Sequence, residues 1–365
     1  MILNWGLEIM EKLKVIHVVN TGKYSGAEKV AISTIEGMRD HVNSVYVCLD
    51  GPVVEILKSK KIDYVCITKL KVHEISAVIK KIKPDIIHAH DYTAGIMCAL
   101  TMTKTPIINH VHNNAPWIKK FNIKSVSYVL SSFRYERIIA VSKAIIEENL
   151  FSTILSKKAI IIRNPFNSTI IKELAKKDNK GDANSYDIVY LGRLSEAKNP
   201  IAFVNIVEQV AKVIADTKVG IIGDGELREK VIDIINCSGM NNKIELLGHK
   251  DNPYPILEMA KVLCVPSKWE GYGIAATEAL AFGVPVVARC VGGLVDIVNE
   301  DCGFLCKSDE EIANKIIAVL RDSKLHNKLS KGAKRRAEEI EKSSDYIEQM
   351  NNEYIKIKRK IKMEK

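Results

Sequence analysis

Short runs of β-branched and apolar residues recur along the chain, separated by longer stretches with helical spacing. In the first half they are KVIHVVN (14–20), SVYVCLD (44–50), YVCIT (64–68), DIIHAH (85–90), PIINHVH (106–112), RIIAVS (137–142) and AIIIRN (159–164). These runs are apolar on both faces, the pattern of parallel strands buried beneath helices. Between them, GAEKVAISTIEGMRD and VHEISAVIKKIK carry apolar residues one helical turn apart. Such alternation predicts an α/β chain with a doubly wound parallel sheet.

The pattern breaks at IKELAKKDNKGDANSYD (171–187), which is polar and reads as a linker. A second series then runs through DIVYLGR (187–193), KVGIIG (218–223), IELLG (244–248), VLCVPS (262–267), VPVVAR (284–289) and GFLCK (303–307). From about 308 the chain reads as helix, ending in YIKIKRKIKMEK. The expectation is two Rossmann-like domains, 1–170 and 171–345, with a C-terminal helix at about 345–365 packing back on the first. Ligands of open parallel sheets bind outside the strands' carboxyl ends. A cleft between two facing sheets is therefore expected, lined by residues that follow strands.

Composition adds bounds. A hydrophobic content of 47% with 27% charged residues describes a globular chain able to bury real cores. The eight cysteines are scattered, form no CxxC pair and mostly sit in apolar runs. They read as reduced thiols of a cytoplasmic protein. Cys302 and Cys306 are close enough in sequence for a disulfide or half a metal site, but no matching second pair exists. The opening MILNWGLEIMEKLKV lacks a basic leader, and Glu8 and Glu11 interrupt it, so no secretory signal is expected. No run reaches the roughly 18 apolar residues that span a bilayer. A net charge of +10 favours an anionic partner: a nucleotide, nucleic acid or an acidic membrane surface. Nucleic acid is set aside because no aromatic RNA-binding pattern or helix-turn-helix signature is present.

Chemistry gathers after the strands of the second half. LGRLSEAKNP sets Arg193 and Lys198 at a strand end, two cations suited to a diphosphate. In IIGDGELREK, Gly223 and Gly225 permit a tight turn and Asp224 is placed to cap a helix starting near Glu226. His249 opens a loop running to Pro253 that can edge a base or sugar. KWEGYGIAATEALAFG holds Glu270 in a glycine turn and Glu278 inside the helix that follows. That helix should end at Gly283. Its amino terminus points free N–H groups and partial positive charge at the cleft, which suits an anion. Across a turn-to-helix junction the two glutamates are not implied to be an acid–nucleophile pair. Recognition of a polyhydroxylated ligand fits them better.

Taken together and in order, GRLSEAKNP, GDGELR, NPYPILEMAKVLCVPSKWEGYGIAATEALAFGVPVVA and GGLVDIV resemble the signature series of the GT-B family 4 glycosyltransferases. The first half is looser but also similar, with GKYSGAEKV at the family's glycine loop, IIHAHD at its second motif and IRNPFN at its interdomain hinge. Ser25 replaces the first glycine of that loop, leaving Gly26 to approach the donor phosphate. The resemblance implies a GT-B fold, a nucleotide-sugar donor (UDP on family grounds), and transfer with retention onto a sugar or lipid-linked acceptor. It implies Arg193 and Lys198 on the diphosphate and Glu278 on the ribose. Glu270, with the backbone of Gly273 and Ile274, would hold the donor sugar and its phosphate. No metal or cofactor is implied, in keeping with the lack of a DxD-like pair at any strand end. Epimerases and phosphorylases share this fold and are the alternatives; no motif argues for a phosphorylase's pyridoxal lysine.

The first half also carries two His-x-His pairs, His88/His90 and His110/His112. Alternate residues of a strand share a face. Four imidazoles near one cleft raise the question of zinc, but no carboxylate or thiol completes a set at metal spacing. His88, His90 and His110 can equally be packed or capping residues. His112, followed by Asn113, matches the family histidine near the reacting sugar. Beyond it, NNAPWIKKFNIKSVSYVLSSFRYER mixes Trp117, Phe121, Tyr128, Phe133 and Tyr135 with Lys119, Lys120, Lys124 and Arg134. It is either a solvated amphipathic helix or a patch that docks on anionic membrane.

Overall fold

A computed structural model describes residues 12–177, 185–342 and 345–363. The extreme amino terminus, part of the 171–187 stretch and the last two residues lie outside them. The first sheet contains β1 (Leu13–Val18), β2 (Val42–Leu49), β3 (Tyr64–Ile67), β4 (Ile86–His90), β5 (Ile107–Val111), β6 (Tyr135–Ala140) and β7 (Ala159–Ile161). Its order is β3-β2-β1-β4-β5-β6-β7, parallel throughout. The second sheet contains β8 (Ile188–Leu191), β9 (Val219–Ile222), β10 (Ile244–Gly248), β11 (Val262–Val265), β12 (Val286–Arg289) and β13 (Gly303–Cys306). Its order, β10-β9-β8-β11-β12-β13, is again parallel. Each apolar run read from the sequence is thus a strand. Burial explains why: Val15, Ile16, Ile86, Ile87 and Ile108 in one sheet, and Ile188, Val262 and Val287 in the other, are wholly excluded from solvent. Strand order reverses at β1/β4 and at β8/β11, where such sheets open a crevice.

The helix Tyr346–Met363 lies on the first sheet although it follows the second in sequence. Tyr346, Met350, Tyr354 and Ile357 recur on one of its faces and join Leu13, Val15, Ile86, Ile108 and Ile139 in one buried cluster. Polar bonds fix its register: Tyr346 Oη lies 2.5 Å from the Thr34 hydroxyl, and Arg137 pairs with Glu353 at 2.9 Å. Burial of such a face is worth about 1.5–3 kcal/mol for each large side chain.

Two local readings need correction. The stretch 171–187 does not begin as a linker, because Ser168–Lys177 is helical. Ile171 and Ala175, one turn apart, are buried, and that apolar spacing outweighs the lysines around it. Asp224 does not cap a helix. Its carboxylate takes the N–H of Gly225, and the helix starts later, at Arg228. All eight cysteines, including Cys302 and Cys306, are free thiols. Among the described residues no helix is long and apolar enough to cross a membrane.

Candidate active site

The βα loops of the second sheet are tied to one another through their backbones. Leu194 N–H donates to the Asp224 carbonyl at 2.9 Å, Gly223 N–H to Gly248 at 2.8 Å, and Lys268 N–H to Ala197 at 2.8 Å. Gly293 N–H closes the series on the Glu270 carbonyl at 3.2 Å. Backbone bonds of this kind hold a site rigid before any ligand arrives.

Within that frame the Lys198 ammonium lies 2.5 Å from Glu270 Oε2, and the Ser267 hydroxyl donates to the same oxygen at 3.3 Å. The Glu270 side chain is only 9% exposed against 32% for Lys198, so the carboxylate is the more enclosed partner and the ammonium the more accessible one. Arg193, at the end of β8, is exposed and forms no ion pair among the described residues. The helix Ile274–Phe282 starts at Gly273, whose φ of 110° is left-handed, and no side chain caps it. It ends at Gly283 in the left-handed conformation, as its sequence predicts. An anion entering here meets uncapped helical N–H groups, the partly exposed Lys198 ammonium and an exposed guanidinium.

Glu278, inside that helix, accepts a hydrogen bond from Tyr254 at 3.0 Å. Burial pushes its carboxyl up, opposed by the Tyr254 bond and by Lys29 across the cleft. His249 is different: its ring remains 70% exposed, 3.4 Å from Asp251, and joins none of these groups.

The first sheet meets this ridge at several points. A Cβ on Gly26 would sit 3.6 Å from Ile274 Cδ1, so the glycine loop faces the start of the anion-binding helix. Ser25 tolerates its position because its backbone is extended, with φ −136°, and its hydroxyl and N–H both donate to Glu28 at 2.5 and 3.0 Å. The Ser142 hydroxyl donates to the Gly271 carbonyl at 2.6 Å. Gly271 itself lies against the carbonyl of His112. The Glu270 turn is therefore seated directly on the His112 segment.

His112 is oriented from three sides. Its backbone N–H donates to Asp91 Oδ1 at 2.9 Å, and its Nε2 is 2.9 Å from His90 Nδ1. Asn164 stands beside the ring, and burial still lowers the imidazole to about 3, keeping it neutral. Asp91, with a left-handed φ of 66°, is pushed up to about 6 by burial. A cavity of about 230 Å³ opens beside it, lined in part by Asn20, Thr21, Glu28, Asp91, Asn113 and Trp117. Carboxylates, amides and an indole form a lining suited to sugar hydroxyls and a sugar face. A larger hollow of about 760 Å³ lies at the opposite edge of the first sheet, near Lys12, Lys14 and Lys81, away from these groups.

Sequence reasoning named His112, Gly26, Arg193, Lys198, His249, Glu270, Gly273, Ile274 and Glu278; the fold brings all but His249 toward one cleft, and His249 stays exposed beside Asp251. It passed over Tyr254, Lys29, Asp91 and Asn164. All four lie inside quoted motifs, NPYPILE, GKYSGAEKV, IIHAHD and IRNPFN, but only the fold shows what they touch.

Two facing Rossmann-like sheets with an uncapped helix and a cationic loop at their junction form a cleft with the chemistry to hold an anion. Comparison with known proteins agrees. Residues 24–168 match the model of Glycosyltransferase Family 4, and residues 171–336 that of Glycosyl transferases group 1. An uncharacterised glycosyltransferase of Methanocaldococcus jannaschii is 31% identical over 259 residues, covering 68% of this chain and 69% of that protein. The UDP-Gal:alpha-D-GlcNAc-diphosphoundecaprenol alpha-1,3-galactosyltransferase of Escherichia coli is 25% identical, covering 88% of this chain and 92% of its own. Among solved structures, Anabaena HepE in complex with UDP and glucose superposes with a TM-score of 0.81 at 18% identity, over 94% of this chain and 100% of that one. This chain belongs to the family 4 glycosyltransferases and has their GT-B fold.

Proposed function

We propose that the enzyme moves a hexosyl residue from a UDP-sugar, with retention, onto a sugar of a lipid-linked acceptor during surface polysaccharide or glycolipid assembly. One observation carries the reading. The Lys198–Glu270 pair stands before the uncapped start of the Ile274–Phe282 helix, with His112 directly opposite. On donor binding the Lys198 ammonium turns to the diphosphate beside Arg193. Glu270 is then free to accept hydroxyls of the transferred sugar, and Glu278 those of the ribose. The acceptor sugar lies in the Asp91–Trp117 cavity. As the bond from the anomeric carbon to the phosphate breaks, the acceptor oxygen bonds to the same face, and its proton passes to the departing phosphate oxygen. The helix N–H groups, Arg193 and Lys198 take up the developing charge. The nucleotide and acceptor class rest on likeness to HepE and the E. coli galactosyltransferase.

A hydrolysis screen across UDP-, GDP- and ADP-sugars tests the donor, and proton NMR of the first product tests retention. Cleavage confined to GDP- or ADP-sugars, or an inverted product, refutes the corresponding part. Because protein cations neutralise the phosphate, turnover should be unchanged in EDTA; a loss restored by magnesium would contradict this.

The enzyme acts at the cytoplasmic face of an anionic membrane. Phe121 and Ile123 are 80% and 83% exposed, and Leu130 and Phe133 are also largely in solvent. Lys120 and Lys124 stand exposed among them, while Lys119 is paired with Glu148. Apolar side chains ringed by lysines suit an anionic lipid surface. Vesicle binding should rise with anionic lipid and fall with salt. Replacing Lys119, Lys120 and Lys124 by Glu should abolish it, and unchanged partitioning would sink the membrane reading.

A further inference from the structure

Glu278 stands one turn inside the helix Ile274–Phe282, on the same face as Phe282 four residues on. Its carboxyl is enclosed, and burial favours the protonated form. Protonation turns one carboxyl oxygen from an acceptor into a donor, so a ligand that offers hydroxyls needs the charged form. Two groups work against burial. Tyr254 donates to Glu278 Oε1 at 3.0 Å, and Lys29 adds positive charge from the first domain. The other oxygen, Oε2, has no protein partner among the described residues.

Tyr254 is itself held in place. It opens the short helix Tyr254–Glu258 between Pro253 and Pro255, whose rings fix the backbone on either side. Its N–H donates to Asn252 Oδ1 at 3.3 Å, and the Asn252 amide in turn donates to the Leu174 carbonyl at 2.8 Å. Its ring packs beside Phe282, with centroids 6.1 Å apart. Burial and the Glu278 charge raise the phenol, so it stays a donor. The hydroxyl therefore meets Glu278 from a preset position, which is what a positioning group requires.

Lys29 comes from the opposite side. It lies in the first turn of the helix Gly26–Gly37, whose start faces Ile274. It is exposed, and its ammonium stands 5.5 Å from the centroid of the Tyr24 ring. Tyr24 in turn bears electrostatically on Tyr254. Two side chains of the first domain, Tyr24 and Lys29, thus face two of the second, Tyr254 and Glu278. Helices packed on Ile274–Phe282 also carry Lys172, Glu173, Lys176, Glu258, Asp296 and Lys334. None of these bonds to Glu278, and Lys334 lies at Gly283, the far end of the helix. The groups that bear on Glu278 are Tyr254 and Lys29.

We propose that Tyr254 and Lys29 are positioning residues for Glu278, one from its own domain and one from across the cleft, and that they hold its carboxylate charged for the sugar hydroxyls of the nucleotide. Tyr254 occupies Oε1 and leaves Oε2 to the ligand. Lys29 acts at longer range, through charge alone. Because Lys29 belongs to the first domain, full nucleotide affinity requires the two domains to be closed on each other. The inference rests on the reading of Glu278 as the ribose residue, and the comparison of nucleotides below separates the two.

Isothermal titration of the full-length enzyme with UDP and with 2′,3′-dideoxy-UDP reads each step; if the hydrolysis screen selects another base, the corresponding pair is used. Wild type should prefer UDP by about tenfold or more, since Glu278 receives the hydroxyls. Tyr254→Phe should weaken UDP about tenfold, the effect of losing a hydrogen bond to a charged group, and leave dideoxy-UDP almost unchanged. In kinetics the loss should fall on donor KM and not on kcat. In a Glu278→Gln background the same change should cost nothing further. UDP affinity should fall as pH drops through the Glu278 carboxyl. In Tyr254→Phe that fall should begin about one pH unit higher, because losing a bond to the charged form raises the group. Lys29→Met should weaken UDP about threefold at low salt and not at high salt. Thermal melts check that each variant is folded. Equal losses for the two nucleotides in Tyr254→Phe, or an unmoved acid limb, would overturn the role of Tyr254. Equal losses in Lys29→Met would put Lys29 on the phosphates and overturn its part. Equal binding of the two nucleotides by wild type would remove the ribose reading of Glu278 and this inference with it.

Discussion

Replacing Glu270 with alanine should lower transfer by about two to three orders of magnitude, the effect of deleting one preorganised group that meets the reacting centre. The fold should survive, because among the described residues the Glu270 side chain bonds only Lys198 and Ser267, both at the cleft. Its loss leaves Lys198 without its carboxylate, so the ammonium rests on the diphosphate from the start. Donor affinity should therefore hold or rise while kcat collapses, the split that marks an interaction made with the transferred sugar. Arg193→Ala should lose as much turnover but also weaken donor binding, since Arg193 has no ion-pair partner among the described residues to release. Steady-state kinetics with UDP-sugar and a thermal melt decide both. Near-normal turnover in either variant would remove that residue from the site.

Gly271→Ala should be as damaging for a different reason. A Cβ there would overlap the His112 carbonyl oxygen and crowd the Asn113 backbone. Neither can yield easily, because the His112 N–H is held by Asp91 and the Gly271 carbonyl by Ser142. Overpacking of this kind costs about 1–3 kcal/mol. Here it separates the Glu270 turn from His112, and displacements of about an ångström cost on the order of a hundredfold in rate. The expected result is a loss of kcat with only a small fall in melting temperature, since the strands and helices of both sheets keep their own packing. Full activity in Gly271→Ala would mean that the seating of this turn on His112 is not needed for transfer.

The strands were legible because each is a short apolar run between helical spacings, and burial on both faces leaves no other use for it. The helix Ile274–Phe282 and its end at Gly283 were legible for a similar reason: the residues that stop a helix are local to it. The stretch from 171 misled because lysines, aspartates and asparagines dominate its composition, while the apolar spacing that makes Ser168–Lys177 helical is short. Asp224 misled because a carboxylate one residue from a glycine serves the turn as readily as the helix beyond it. His17, whose ring lies beside those of His88 and His90, escaped notice because it stands alone on β1, without a His-x-His partner to mark it.

By itself the sequence determined the order of strands and helices, the family signature, and which acidic and basic residues follow which strands. These depend on neighbours a few positions away. Which of those residues touch was decided only by the tertiary structure. Lys198 and Glu270 are 72 positions apart, and Ser142 and Gly271 are 129 apart. Tyr354 reaches His88 across 266 positions. Such pairs exist because strand order, not chain order, sets adjacency at a parallel sheet's carboxyl edge. Helix packing on the sheet then carries the C-terminal segment back to the first domain.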